Sequence, residues 1–143
     1  MSKAMQNVGK LVFYVVAVFY GYGALVHILN IAGLSGFNWV NAPMKWQVLD
    51  LVYLALDMTV CIGFLARWGV SLAAFVVAAI SQIVLYTILR AWIIDVPAEF
   101  AVTPAQESYL TKLVVFHVSS LFFVALSYQV VGRTYFGLKR SAA

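Results

Sequence analysis

Charge is scarce in this chain, and cysteine is almost missing. Only 10% of the residues are charged, against about 25% in an ordinary soluble domain. A soluble domain of this size would need polar side chains to face water, and too few are present to do so. The single cysteine, Cys61, has no partner within the chain, which excludes an intrachain disulfide. The nine basic residues outnumber the five acidic ones, yet they scatter to the ends of apolar stretches and form no patch, so nucleic acid is not an expected partner. There is no glycine-rich phosphate loop, no His-Glu-x-x-His, no cysteine pair and no nucleophile elbow. That argues against a self-contained hydrolase or kinase. No internal repeat or low-complexity tract divides the chain.

What the chain has in abundance is apolar sequence, 64% of all residues. It falls in four runs, 11–30, 46–66, 70–94 and 109–131. A helix rises about 1.5 Å per residue, so roughly 20 apolar residues cross a hydrocarbon core about 30 Å thick. None of the runs has a polar face wide enough for a soluble helix. The expected fold is all-α: a single domain of four transmembrane helices in an antiparallel bundle. Lys3 and Lys10 precede the first run as in a signal peptide, but no small-x-small cleavage site follows and the apolar stretch continues through Leu29. It is expected to be a retained first span.

Charge sets the expected orientation. With the N-terminus in the cytoplasm, Lys3, Lys10, Arg67, Arg133, Lys139 and Arg140 lie inside, and Lys45, Arg90 and Lys112 lie outside. The excess of inside basic residues favours both termini cytoplasmic. Trp39, Trp46, Trp68 and Trp92 all fall near run boundaries, where an indole keeps its ring buried and its N–H wet.

The connections have distinct signals. Arg67-Trp68-Gly69 predicts a tight inner turn that makes the second and third spans antiparallel neighbours. The first outer connection, 31–45, carries Gly33, Gly36, Asn38, Asn41 and Pro43, all turn formers. Pro97 should end the third helix nearby. Thr103-Pro104-Ala105-Gln106 offers an N-cap, a proline at the first helical position and a glutamine three residues after the cap, so the fourth helix is expected to start near Pro104.

Ionisable or strongly polar groups at membrane depth are costly and tend to face the bundle interior with a partner. The candidates are His27, Asp50, Asp57, Gln82, Arg90 and His117. At 1.5 Å per residue, Arg90 lies about 3 Å inside the outer boundary, His27 and Asp50 about 5 Å, His117 about 12 Å, and Asp57 and Gln82 about 16 Å. All therefore sit in the outer half or at the centre, as expected for a site that opens outward. Asp50, Tyr53 and Asp57 share one helix face. Arg90 is at nearly the depth of Asp50, so an Asp50–Arg90 ion pair is expected. Asp57 is expected to be protonated, bonded to Gln82 or Tyr86, or part of a proton or ligand path.

His27 and His117 arise from the antiparallel first and last spans. Two such imidazoles could ligate one b-type haem iron or, with Asp50, another metal ion, or one of them could bond a quinone carbonyl. Small residues at Ala17, Gly21, Gly23, Ala24, Ala74 and Ala78 suit close helix approach.

The segment Gly21-Tyr22-Gly23-Ala24-Leu25-Val26-His27, with Leu56-Asp57 and then Ile62-Gly63-Phe64-Leu65-Ala66-Arg67-Trp68-Gly69, resembles the DoxX-like group of small four-helix bacterial membrane proteins. The likeness covers about the first half of the chain. It implies a bacterial inner-membrane location and a role connected with quinone-linked oxidoreduction, and it transfers no catalytic residue. The first functional expectation is an accessory or structural subunit that packs against a larger membrane complex, such as a respiratory oxidoreductase. The alternatives are a redox-active haem or quinone binder using His27 and His117, and a small proton-coupled transporter built on Asp57. Membrane lipids and other membrane subunits are the expected partners.

Overall fold

The computed structural model describes residues 2–138, and Lys139 and Arg140, which entered the charge argument, lie outside them. The described chain is helical, with no strand among these residues. Helix α1 spans Lys3–Ile31, α2 Met44–Leu65, α3 Val70–Tyr86, α4 Arg90–Ile94 and α5 Pro104–Ser127. A π-turn over Tyr128–Gly132 carries α5 into a last short turn, α6, at Arg133–Tyr135. Three of these segments, Lys3–Ile31, Met44–Leu65 and Pro104–Tyr135, are long and apolar enough to cross a membrane, and α3 is a shorter apolar helix of 17 residues. Large apolar side chains such as Val18, Val77 and Phe122 point outward from α1, α3 and α5. Water would not tolerate such a surface, whereas lipid would. The chain thus has the character of an integral membrane protein.

Helix α1 packs on α2, α2 on α3, α3 on α5 and α5 back on α1. Contacts between opposite ends show that neighbours run antiparallel. Phe13, early in α1, meets Phe64 at the end of α2 and Phe136 at the end of the chain, with ring centroids 5.7 and 5.1 Å apart. Phe64 in turn meets Phe75, early in α3, at 5.7 Å. This aromatic cluster forms the core of one end of the molecule, here termed the turn end because the 66–69 connection closes it. The Tyr135 hydroxyl donates to the Phe64 carbonyl at 2.9 Å, which ties α6 to the end of α2. The opposite, loop end carries the 32–43 and 95–103 connections.

The third run departs from expectation. Residues 70–94 do not make one span: α3 stops at Tyr86 and α4 is a separate short helix. Thr87 explains part of the break. Its hydroxyl donates back to the Ile83 carbonyl at 2.6 Å, and its backbone is drawn off ideal helical values to φ −115° and ψ −74°. Such back-bonding competes with the regular ladder. The Leu89 amide then reaches the Val84 carbonyl, five residues back, and the chain turns. Two side chains of α2 hold α4 in its new place. Lys45 Nζ donates to the Trp92 and Asp95 carbonyls at 2.5 Å each, and Trp46 Nε1 donates to the Ile93 carbonyl at 2.9 Å. These are carbonyls that a helix end leaves without internal partners.

Helix α5 begins as its sequence predicts. The Thr103 side chain accepts from the Gln106 amide, and the Gln106 side chain accepts from the Thr103 amide, a complete capping box. The tight turn after α2 is reached by a less legible route. The Trp68 amide bonds the Gly63 carbonyl and the Arg67 amide bonds the Phe64 carbonyl, a Schellman closure. The residue that takes the left-handed conformation is Arg67 (φ 63°), not the glycine two positions later. The same closure ends α1 at Gly33 (φ 70°), where glycine serves as expected.

The small residues of α1 are spent within the chain. A Cβ on Gly21 would lie 3.0 Å from Cys61 Sγ, and the space beside Gly23 is filled by the Asp57 carboxylate. Cys61 is thus a packing residue between α1 and α2.

A histidine and carboxylate cluster beneath an aromatic cavity

Two helix faces build the candidate site. On α1, Tyr20, Gly23 and His27 lie at positions i, i+3 and i+7, one stripe of a helix. On α2, Asp50, Tyr53 and Asp57 do the same. Because α1 and α2 are antiparallel, the two stripes face each other with His27 between the two carboxylates. His27 Nδ1 lies 2.6 Å from Asp50 Oδ1, and His27 Nε2 lies 3.8 Å from Asp57 Oδ2. The imidazole also lies over the Tyr53 ring, with centroids 6.3 Å apart and planes 20° from parallel. Tyr53 is fixed in turn by donating to Ser81 Oγ at 3.1 Å, and Ser81 donates to the Ala78 carbonyl. The pair therefore stands on an ordered base that reaches α3.

This arrangement corrects one expectation and narrows another. Asp50 does not pair with Arg90. Its partner is His27, while Arg90 donates to Glu107 Oε2 at 2.9 Å, to the Glu107 carbonyl at 3.2 Å and to Thr111 Oγ1 at 3.2 Å. The break after Tyr86 moves Arg90 off the α3 axis and toward α5. Nor does Asp57 bond Gln82 or Tyr86. The imidazole nearest to it comes from α1, and its Oδ1 is buried with no hydrogen-bond partner among the described residues. Gln82 is buried on α3.

His27 and His117 do not come together as a ligand pair. His117 lies edge-on to Phe19, Tyr20 and Phe116, whereas His27 stacks on Tyr53. His117 Nδ1 lies 2.6 Å from the Leu113 carbonyl, so Nδ1 carries the proton. His117 Nε2 is buried without a partner. Both nitrogens of His27 face carboxylates. A haem iron held by both rings gains no support from this geometry, and no group of three or more potential metal-ligating side chains forms a metal site among the described residues.

Above the His27–Asp50 pair, at the loop end, is a cavity of about 390 Å³. Its floor is His27, Asp50 and Tyr53, its walls include Trp46, Tyr86 and Tyr109, and its roof comes from Phe37 and Val102 in the two long connections. Phe37, Trp46 and Phe100 brace the roof as a triad of rings about 6 Å apart. Asn30 and Gln106 add amide groups to the lining. Asp57 and His117 do not line it; they lie deeper. Phe37, Phe100 and Val102 had no signal in the sequence as site residues. They belong to loops, and only the folding of those loops over the bundle brings them there.

The Arg90–Glu107 pair at the rim is the weakest of these contacts. Its side chains are 32% and 41% exposed, and exposed pairs contribute about 0–1 kcal/mol. Arg90→Gln is therefore expected to lower stability in detergent unfolding by no more than about 1 kcal/mol. A loss well beyond that would show that Arg90 anchors α4.

Comparison with known families, curated proteins and solved structures finds no match to this chain. The site must be interpreted from its own chemistry.

Proposed function

We propose that this chain is a small four-span membrane subunit whose loop-end cavity binds a planar, lipid-soluble carbonyl compound of the quinone class, and that it serves a larger membrane oxidoreductase. The observation that carries this reading is the His27–Asp50 pair in the floor of an aromatic-walled cavity. Ligand pockets are typically about 300–1,000 Å³, mostly apolar, with a few convergent polar groups. The cavity falls in that range. Flat rings of Trp46, Tyr86 and Tyr109 suit a flat ligand. Amide and hydroxyl groups of Asn30, Tyr86 and Tyr109 can donate to carbonyl oxygens, and His27 backed by Asp50 sets an oriented imidazole beneath them.

The sequence supports the rest of this reading. The charge bias favours both termini in the cytoplasm of a bacterial inner membrane, with the cavity facing away from it. The resemblance to DoxX-like proteins points toward quinone-linked chemistry. Companion subunits would cover part of the outward α5 face, where Val115 and Phe122 are 62% and 60% exposed.

Trp46 gives a direct test, because quinones quench indole fluorescence on contact. Titration of the purified protein with a short-chain benzoquinone is expected to give saturable quenching that disappears in Trp46→Phe. Tyr86→Phe combined with His27→Gln is expected to weaken binding at least tenfold, about 1.4 kcal/mol. Quenching that rises linearly, as for partition into detergent, would remove the ligand site. Extraction of a lone monomer from the native membrane would remove the companion complex.

A further inference from the structure

Three buried polar atoms deep in the bundle have no hydrogen-bond partner: Asp57 Oδ1, Tyr20 Oη and His117 Nε2. Their residues are 3%, 1% and 1% exposed. Such orphans are rare, and each one calls for a reason. These three are neighbours along one line. The Asp57 carboxylate occupies the space over Gly23, Tyr20 is one turn further along the same α1 stripe, and the Tyr20 ring meets His117 edge-on at 6.0 Å. The other oxygen of Asp57 faces His27 Nε2, and His27 Nδ1 is on Asp50, which lines the cavity.

We infer that Asp57, His27 and Asp50 form a proton relay between the cavity and an interior polar site, where Asp57, Tyr20 and His117 together hold water. The relay extends the proposed function but does not require a quinone. It serves any ligand whose binding or chemistry moves a proton at the cavity floor.

The transfer balances as a pair of coupled steps. The Asp57 Oδ2–H bond breaks as an Nε2–H bond forms on His27, and the Nδ1–H bond of His27 breaks as an O–H bond forms on Asp50. One proton moves from the interior to the cavity wall, and the imidazole ends neutral in its other tautomer. The reverse sequence resets it. The 3.8 Å between His27 Nε2 and Asp57 Oδ2 is longer than a hydrogen bond. Rotation of the carboxyl about its soft terminal torsion closes the gap, so transfer is gated by that motion. Gly23 has no side chain to compete with the carboxylate for that space.

The titratable groups around Asp57 are limited in number. From α1 they are Tyr20 and His27, and from its own helix Asp50, Tyr53 and Cys61. From α3 the group is Tyr86, and from α5 it is His117, reached through Tyr20. No lysine or arginine takes part in the ion pairs of His27, Asp50 and Asp57 among the described residues. Among the described residues, His27 is the basic group in position to pass a proton to the cavity.

Infrared spectroscopy of the ligand-free protein in nanodiscs tests this apart from any quinone site. A pH titration is expected to show a protonated-carboxyl C=O band that is absent in Asp57→Asn and that shifts in D2O. The rate at which that band exchanges deuterium is the deciding readout. Asp50→Asn keeps an acceptor for His27 Nδ1 but cannot take the proton, so it should fold and slow exchange at least tenfold. Asp50→Glu should restore the rate. Tyr20→Phe should shift the band frequency, because the interior water loses a partner. Exchange at the wild-type rate in Asp50→Asn, or a carboxyl band unaffected by Asp57→Asn, would overturn the relay. An unshifted band in Tyr20→Phe would remove its interior water.

Discussion

His27→Leu is expected to destabilise the protein far more than Asp50→Asn, and the difference should be read from the two carboxyl groups that share one imidazole. The side chains of His27 and Asp50 are 20% and 12% exposed, and that of Asp57 is 5% exposed. Removing one partner of a buried charged pair costs about 3–5 kcal/mol, mostly because the remaining charge is left without compensation. Leucine at position 27 leaves the Asp50 carboxylate and the Asp57 carboxyl group without the partner they share, while the partial exposure of Asp50 lets water relieve its charge. The expected loss is about 3 kcal/mol. Asp50→Asn still offers His27 an acceptor and should cost about 1 kcal/mol. A double-mutant cycle with Asp50→Leu should return a coupling of about 1–3 kcal/mol, since the two side chains are in direct contact. Unfolding by increasing SDS fraction in mixed micelles, followed by circular dichroism, measures all four corners. A His27→Leu loss near zero would mean that the cluster does not hold α1 to α2.

The second large effect is expected at Gly63. A Cβ there would sit 2.4 Å from Ser71 Cβ and 3.0 Å from Ser71 Oγ. Ser71 cannot yield. It is fully buried in the first turn of α3, and its hydroxyl donates to the Trp68 carbonyl at 2.6 Å. Overpacking a well-filled site costs about 1–3 kcal/mol and sometimes more. Gly63→Val adds the full branched side chain where one carbon already does not fit, so it should lie at or above the top of that range. Alanine at 63 with Ser71→Gly should recover much of the loss, because the second change removes the atoms in the way. Gly36→Ala is the useful contrast. Nothing lies within 4 Å of its Cβ, and only its left-handed backbone (φ 80°) resists a side chain. That conformation costs about 1–2 kcal/mol for a residue other than glycine. Recovery of monodisperse protein on size exclusion, with the same SDS titration, separates the two mechanisms. If Gly63→Val behaves like Gly36→Ala, α2 and α3 are not in the close contact described.

The candidate site was partly legible. The shared face of Asp50, Tyr53 and Asp57 follows from helical periodicity alone, and so does the equal depth of His27 and Asp50. The partner of Asp50 did not follow. Depth along the bilayer normal leaves open which helix stands opposite, and Arg90 and His27 were near-equal candidates by depth. The packing of α1 on α2 decided for His27. The departure of α4 from the α3 axis, which follows Thr87 and is held by Lys45 and Trp46, took Arg90 away to Glu107. Likewise the tight turn at Arg67-Trp68-Gly69 was legible, but not that its left-handed residue is Arg67. Its guanidinium lies 5.3 Å from the centre of the Tyr135 ring, a contact between residues far apart in sequence.

The sequence by itself determined the apolar, all-helical character of the chain, though not the break of the 70–94 run into α3 and α4. Long apolar runs with few charges leave lipid as the environment, and lipid requires the backbone to satisfy its own hydrogen bonds in helices. It also determined where α5 begins, because a capping box is complete within four residues. Only the tertiary structure decided which polar groups meet and whether a cavity exists. A hydrogen bond or a pocket wall depends on side chains from different helices arriving within about 3–4 Å of one another. No local pattern encodes that distance; it is set by the way α1, α2, α3 and α5 close on each other and by the loops that fold over their end.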